Sequence, residues 1–144
     1  MSTDNFKKTI LSRILSLLSG IIVKTTTTGN AWALKVTTEN PSIASSTALA
    51  ASLVVKASAG SLFTAAIYNG NVGTQYIQVH NAASLPANAT VPLFTFAMAT
   101  GTTQILDFNL LGLTCSTGIV LCNSSTAATK TIGANDTWFT ASYR

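Results

Sequence analysis

Short segments in which apolar and polar residues alternate fill the chain from about residue 48 onward. In LFTFAMA, the side chains of Phe94, Phe96 and Met98 fall two positions apart, and those of Leu106 and Phe108 do so in TQILDFN. A period of two is typical of a β-strand with one buried face. Comparable segments are SLVVKAS, LFTAAIY, TQYIQVH, GIVLC, ATKTI and TWFTASY, with turn residues such as NGNVG between them. The pattern predicts an antiparallel β-sandwich or jelly roll over residues 48–144.

The first 23 residues follow a helical period instead. In DNFKKTILSRILSLLSGIIV, apolar residues recur every three or four positions, which predicts an amphipathic α-helix with Asp4 at its start and Gly20 at its end. The apolar face is formed by Phe6, Ile10, Ile14, Leu17 and Leu18. We expect this face to be an assembly interface that packs against sister copies or another component. Folding back onto the chain's own sandwich is the alternative.

Two other interpretations of this segment are disfavoured by its composition. Basic residues before an apolar run, with Ala31-Trp32-Ala33 further on, have the elements of a signal peptide. However, Lys24 and a threonine-rich stretch separate the apolar run from that cleavage sequence. The run is also short and is interrupted by serine and glycine, which argues against a transmembrane span. We therefore expect a helix that docks onto protein and no membrane partner.

Residues 24–47 connect the two parts. KTTTTGN (24–30) reads as a connector, whereas NAWALKVTT predicts a short strand with Trp32, Leu34 and Val36 on one face. ENPSIASSTALA (39–50) is predicted to be a polar loop that Pro41 keeps irregular. The predicted organisation is a helical arm (1–23), a linker with a short strand (24–47) and a β-sandwich domain (48–144).

Few charges are available for chemistry or for binding polyanions. Only 8% of the residues are charged, and the net charge of +4 comes from eight basic residues and four acidic ones. Four of the basic residues fall within the first 24 positions, and the others are scattered singly. No basic stripe of the kind that phosphate backbones require is present, so we expect no nucleic-acid partner. A surface made largely of hydroxyl and amide groups suits a protein that is packed within a larger assembly.

Candidate catalytic and metal-binding residues are sparse. The chain has one histidine, His80, which alternation places with Tyr76 and Gln78 on a solvent-facing side of its strand. A triad of His80 with Asp107 or Asp136 and a serine stays open, but no G-x-S-x-G elbow favours it. A zinc site would need more ligands than one histidine and two cysteines supply. We therefore expect a non-enzymatic protein without cofactor or metal.

The segment LTCSTGIVLCNSSTAATKTI (113–132) holds both cysteines. Cys115 and Cys122 are seven positions apart, so on one continuous strand they would point to opposite faces. A hairpin that joined them would have to turn at Gly118 and Ile119, which is poor turn chemistry. The spacing predicts two buried free thiols in a corner of the sheet structure.

Three stretches of the sandwich region also resemble a known group of proteins. SLVVKASAGSLFTAAIYNG, YIQVHNAASLPANATVPLFTFAMATG and STGIVLCNSSTAATKT resemble small β-sandwich virion domains of tailed bacteriophages, over roughly residues 50–144. The resemblance implies a structural protein located in the virion: a capsid decoration or cement protein, a head fibre, or a neck or tail attachment. It further implies a homo-oligomer, with a trimer favoured, and the major capsid protein or other virion proteins as partners.

The alternative function is that of a tail or neck fibre, or of a receptor-binding module that attaches to carbohydrate on the host. Many β-sandwiches recognise saccharides through exposed aromatic side chains, which stack on sugar rings. The candidates here are Tyr68, Tyr76, Trp138 and Tyr143. Each of them also fits the core or a cross-strand pair.

Overall fold

The computed structural model describes residues 24–28, 31–35 and 40–144, and the chain forms two compact units, residues 1–39 and 40–144. In the first unit, β1 (Lys24–Thr28) pairs antiparallel with β2 (Ala31–Lys35). The strand predicted in NAWALKVTT is thus confirmed, whereas the connector predicted at 24–30 was wrong. Threonine is β-branched and favours extended backbone, which explains the additional strand. The predicted helix over residues 1–23 lies outside the described residues.

The second unit consists of two antiparallel sheets. Its strands are β3 (Ser42–Ser45), β4 (Ser52–Lys56), β5 (Gly60–Asn69), β6 (Gln75–Asn81), β7 (Phe94–Met98), β8 (Thr103–Asp107), β9 (Leu113–Cys115), β10 (Ile119–Ser124) and β11 (Thr137–Tyr143). Sheet one has the order β4-β10-β6-β7, and sheet two has the order β3-β11-β5-β8 with β9 also paired to β5. Within the part of the chain that is described, no segment is α-helical, and no helix is long and apolar enough to span a bilayer. The predicted mainly-β class is confirmed.

The chain passes from one sheet to the other at most of its connections. Among the strands of the second unit, β3 to β11, only the β6–β7 and β8–β9 connections stay within a sheet. The turn predicted in NGNVG is present, but it leads from β5 in sheet two to β6 in sheet one rather than closing a hairpin. Because successive strands lie in different sheets, residues that are distant in sequence lie side by side on the same face of a sheet.

The core lies between the two sheets and is formed by the residues that alternate inward. Val55, Ile67, Ile77, Leu121 and Phe139 are among its buried members. Leu53, Phe96, Leu106 and Phe108 pack against this cluster, as their alternation predicts. In LFTAAIY, alternation predicts that Phe63 lies on the same side as Ala65 and Ile67, but β5 carries an extra residue there.

That extra residue is Phe63. Ser142 lies opposite Thr64 and Tyr143 lies opposite Leu62, so Phe63 is skipped in the pairing of β5 with β11. Leu62 is fully buried, whereas Phe63 is only half-buried. A bulge of this kind shifts the alternation by one residue, which periodicity in a single strand does not reveal.

Two further predictions about local structure were wrong. The polar loop predicted at 39–50 contains the edge strand β3, which pairs with β11, so the second compact unit begins at Asn40. The strand predicted in ATKTI is a loop that keeps one isolated bridge, between Ile132 and Ser124. The Ser124 hydroxyl accepts hydrogen bonds from the backbone N–H groups of Thr126 and Thr131, which holds this segment in a local turn structure.

Candidate functional site

The two cysteines lie at a corner where the chain passes between the sheets. Cys115 ends β9 opposite Gly60 in sheet two, and Cys122 lies in β10 opposite Gln78 in sheet one. Both are free and buried, which confirms the predicted pair of free thiols. Burial raises the pKa of both thiols, and that of Cys122 rises to about 11 although the nearby Lys130 acts in the opposite direction. Both side chains are therefore neutral thiols near pH 7, which makes them poor nucleophiles.

The turn between the cysteines is tied to the end of β6. The backbone N–H of Thr117 donates to Asn81 Oδ1 at 2.8 Å, and the Gly118 carbonyl accepts from the N–H of Ala82 at 3.1 Å. A Cβ on Gly118 would lie 2.5 Å from the carbonyl oxygen of Ala82 and 2.8 Å from that of Lys56. Only glycine allows the backbones to approach this closely.

The outward side of sheet one is covered by two loops, and we call it the covered face. Gln78 and His80 of β6 and Val120 and Cys122 of β10 are all buried there. The loops are residues 82–93 and residues 125–132, which we call the cap. Gln78 Nε2 donates to the carbonyl oxygens of Thr126, Ala127 and Thr129, at 2.9, 3.2 and 3.2 Å respectively.

His80 is buried beneath the cap, so the predicted solvent-facing position was wrong. Alternation assigns it to the correct side of the strand, but the cap leaves its side chain only 2% exposed. Its Nε2 lies 3.2 Å from Gln78 Oε1, and its Nδ1 is buried without a hydrogen-bond partner. Because the Gln78 amide nitrogen is held by carbonyls, its oxygen faces the ring and accepts the proton of Nε2. Burial lowers the pKa of His80, and the charge of Lys130 lowers it further.

The structure does not bring together the catalytic triad considered for His80, which would need Asp107 or Asp136 and a serine beside the ring. The Asp107 carboxylate accepts from the backbone N–H of Asn109 in sheet two, and the Asp136 carboxylate accepts from Asn123 Nδ2. Neither contacts His80. Across the described residues, no group of three or more His, Cys, Asp or Glu side chains is placed to hold a metal ion.

A shallow cavity of about 240 Å³ adjoins His80. Its walls are mainly the apolar side chains of the 82–93 loop, Pro86, Val91, Pro92 and Leu93. Nε2 of His80 faces Gln78, and Nδ1 is buried. The cavity therefore presents apolar surface rather than a reactive group.

The outward side of sheet two has no such cover, and we call it the open face. The β-sheet register defines its rows: Trp138–Tyr68–Thr103, Ser45–Thr140–Ala66–Ile105 and Ile43–Ser142–Thr64–Asp107. Ile105 is 72% exposed, Ile43 65%, and Trp138 and Tyr68 are 40% each. Asp107 is the one charged side chain in these rows. The open face is thus a broad surface of hydroxyl, apolar and aromatic groups.

The structure brings together two of the four predicted surface aromatics. Tyr68 and Trp138 are directly opposite on neighbouring strands of the open face. Tyr76 lies in sheet one opposite Ser124, and Tyr143 packs against the core. The predicted assembly residues Phe6, Ile10, Ile14, Leu17 and Leu18 lie outside the described residues.

Two apolar residues of the open face, Ile43 and Ile105, were not predicted from the sequence. Ile105 alternates with Leu106 in TQILD, so its exposure could have been inferred from the inward position of Leu106. Ile43 lies in the segment that was predicted to be a loop and gave no such signal.

Comparison with protein-family models, with curated proteins and with solved structures finds no match. The features of the second unit that bear on function are the open face of sheet two and the covered face of sheet one. The open face offers an accessible, almost uncharged surface, whereas the covered face holds a buried polar cluster.

Proposed function

We propose that this chain is a non-enzymatic structural protein of a tailed-phage virion, of the capsid decoration, cement or head-fibre type. The observation that carries the proposal is the open face, where Ile43, Tyr68, Ile105 and Trp138 leave large apolar surfaces exposed. Exposed apolar patches on folded domains commonly mark protein interaction surfaces. A subunit packed into a particle would bury such a patch against its neighbours.

The strand order supports a jelly roll, the finer fold that the sequence predicts. Without the short β9, the strands from β3 to β11 can be numbered first to eighth. The sheets then have the orders first-eighth-third-sixth and second-seventh-fourth-fifth, which is the arrangement of a jelly roll. Jelly rolls are frequent in viral capsid proteins and also in lectins. This support is a fold-level analogy, and it agrees with the resemblance to phage virion domains.

The composition of the open face favours another copy of this chain as its occupant. The centres of protein interfaces are depleted of charge and enriched in tyrosine and tryptophan. The open face has this composition, and Asp107 lies in its outermost strand, β8. Two copies can therefore approach without bringing like charges together at the centre, in keeping with the homo-oligomer, and the favoured trimer, that the resemblance implies. Contacts with the shell would then use other surfaces, including the predicted helical arm.

The oligomeric state of an Ile105→Lys variant tests the copy–copy contact. A lysine at the centre of an apolar interface would have to be desolvated, so we expect sedimentation velocity to show monomers for this variant and oligomers for the wild type. Val72→Lys is the matched control, since Val72 is 97% exposed and lies in the β5–β6 turn. Oligomers of Ile105→Lys equal to those of the wild type would contradict the contact, as would a monomeric wild type.

Saccharide binding is the second candidate, and the cross-strand pair of Trp138 and Tyr68 favours it. Both rings lie on the open face, and hydroxyl groups of Thr103 and Thr140 are close by in the register. Aromatic rings beside hydrogen-bonding groups suit the apolar face and the hydroxyls of a sugar ring. A glycan array tests this role.

On that array, the saccharide candidate requires binding by the wild type that Trp138→Ala abolishes. Ile43→Ala, which changes the same face away from the aromatic pair, should leave binding intact. Absence of wild-type binding to any glycan would contradict the candidate.

A further inference from the structure

The cap is held to sheet one chiefly by hydrogen bonds of Gln78 and Ser124, and a few more bonds hold its two loops to each other. Its two loops are joined by the backbone bonds from Lys130 N–H to Thr90 O and from Ala89 N–H to Lys130 O, each 2.8 Å long. The Lys130 ammonium also donates to Asn88 Oδ1 at 2.8 Å. Most cap residues are exposed, so little apolar area holds the cap down. Such a segment can open locally at a lower free energy than the whole fold.

The closed cap accommodates His80 only in its neutral form. Nε2 already donates to Gln78 Oε1, and the buried Nδ1 has no acceptor within hydrogen-bond distance. Protonation would add an N–H at Nδ1 that has nothing to bind. It would also place a full charge on a side chain that is almost wholly buried, which is costly without a partner.

The groups that face His80 provide no compensating charge. On its own strand the neighbour is Gln78, and β10 presents Val120 and the neutral thiol of Cys122. The outer strands of sheet one are β4 and β7, and their register places Val54 of β4 and Thr95 of β7 on the same face as His80.

The cap adds one charged group to that set, the ammonium of Lys130, which is 3% exposed and has the same sign as a protonated imidazole. The other cap loop, residues 82–93, contains no titratable side chain. No described carboxylate faces His80, because Asp107 is on β8 and Asp136 is bonded to Asn123 on the inner side.

We propose that the cap is an acid-responsive element: protonation of His80 opens residues 82–93 and 125–132 away from sheet one and uncovers the face beneath, while the two-sheet core stays folded. The uncovered surface would include Val120 and Cys122. The opened protein therefore exposes a mixed surface, in which Val120 and Cys122 lie beside Gln78 and the protonated ring of His80, and this surface is covered at neutral pH.

The sign of the pH dependence follows from proton linkage. The pKa of His80 is lowered in the closed state by burial and by Lys130, and it returns toward its ordinary value of 6.5 when the cap opens. The open state therefore binds the proton more tightly. Below about pH 6.5 the opening equilibrium constant rises by up to about tenfold per pH unit until the pH reaches the lowered pKa of the closed state, and well above pH 6.5 it is constant.

The two cysteines provide separate reporters for this opening. Cys122 lies under the cap, whereas Cys115 belongs to the core between the sheets. We would label the full chain at pH 7 and pH 5 with 4,4′-dithiodipyridine, a disulfide that also reacts with thiols in acid. Mass spectrometry of peptides then locates the label, and rates are normalised to the unfolded chain. The expected result is faster labelling of Cys122 at pH 5 than at pH 7, by up to about 25-fold, and no change at Cys115.

A His80→Gln variant is the control, since it keeps a polar side chain without a titratable ring. Its Cys122 labelling should not depend on pH between 5 and 7. Equal labelling of wild-type Cys122 at both pH values would overturn the proposal, and so would a parallel rise at Cys115, which indicates global unfolding. If the variant does not fold, NMR titration of wild-type His80 decides: a pKa below 6.5 supports the proposal, and one at or above 6.5 overturns it.

Discussion

Asn69, the last residue of β5, ties the turn between the sheets to a neighbouring loop. Its side chain is fully buried, and Nδ2 donates to the carbonyl oxygens of Gly73, Met98 and Ala99 at 3.0–3.1 Å. Its Oδ1 accepts from the backbone N–H of Asn71 at 3.0 Å. Both N–H groups of the amide and one lone pair of its oxygen are therefore used. Substitution tests whether this network stabilises the connection between β5 and β6.

The expected cost of Asn69→Ala is about 3 kcal/mol in the free energy of unfolding. Two N–H donors, which share three carbonyl acceptors, and one acceptor lose their partners at about 1 kcal/mol each. Asn69→Asp should cost more at pH 7, although the side chain is almost isosteric. It would place a carboxylate oxygen against three carbonyl oxygens, which repel it.

The pH dependence distinguishes this repulsion from a general loss of packing. The repulsion raises the pKa of the introduced carboxyl in the folded state, so the stability of Asn69→Asp relative to wild type should increase as the pH falls from 7 to 5. Urea unfolding followed by far-UV circular dichroism, with each variant compared with wild type at the same pH, measures both effects.

Asn109→Asp is the matched control, because Asn109 is exposed and its side chain has no comparable network. Its free energy of unfolding should stay within about 0.5 kcal/mol of wild type. Two results would show that the Asn69 network does not stabilise this turn. One is an Asn69→Asp variant as stable as Asn69→Ala at pH 7, and the other is an Asn69→Ala variant within about 0.5 kcal/mol of wild type.

Three further outcomes are expected. The thiols of Cys115 and Cys122 should react with a disulfide reagent at pH 8 far more slowly than those of the urea-unfolded chain, as absorbance kinetics would show; equal rates would contradict their burial. Gly118→Ala should lower the free energy of unfolding by about 1–3 kcal/mol because its Cβ meets backbone oxygen. Gly101→Ala, whose Cβ meets nothing, should cost only about 1 kcal/mol for its positive φ; the reverse order in urea titrations would refute this comparison. Phe139→Ala should cost about 3–5 kcal/mol by leaving a cavity between the sheets, and a smaller loss in the same assay would show that the core refills.

The sequence predicts strands well where one face meets the opposite sheet. Apolar and polar residues alternate clearly in β7 and β11. Their inward side chains, such as Met98 and Phe139, are apolar because they pack in the core, whereas their outward side chains can be polar. The edge strand at Ser42–Ser45 was missed because its side chains are mostly exposed, so no period of two is imposed on them. ATKTI has the composition of a strand, yet hydroxyl groups hold its backbone in a turn.

The candidate surfaces were less predictable because they depend on contacts between distant segments. Alternation placed His80 on the correct side of β6, but only the fold shows that residues 82–93 and 125–132 cover that side. Tyr68 and Trp138 could each be recognised as aromatic strand residues. Their adjacency on the open face follows from the register of β5 with β11, which a single sequence does not encode visibly.

The proposal that this chain is a virion structural protein is tested most directly by quantitative mass spectrometry of purified particles. The particles should come from the phage that carries its gene, and copies should be counted against the major shell protein. The protein should be present in a fixed ratio set by the symmetry of the shell or of an attached fibre. Its absence from intact, infectious particles would rule out a structural role in the virion.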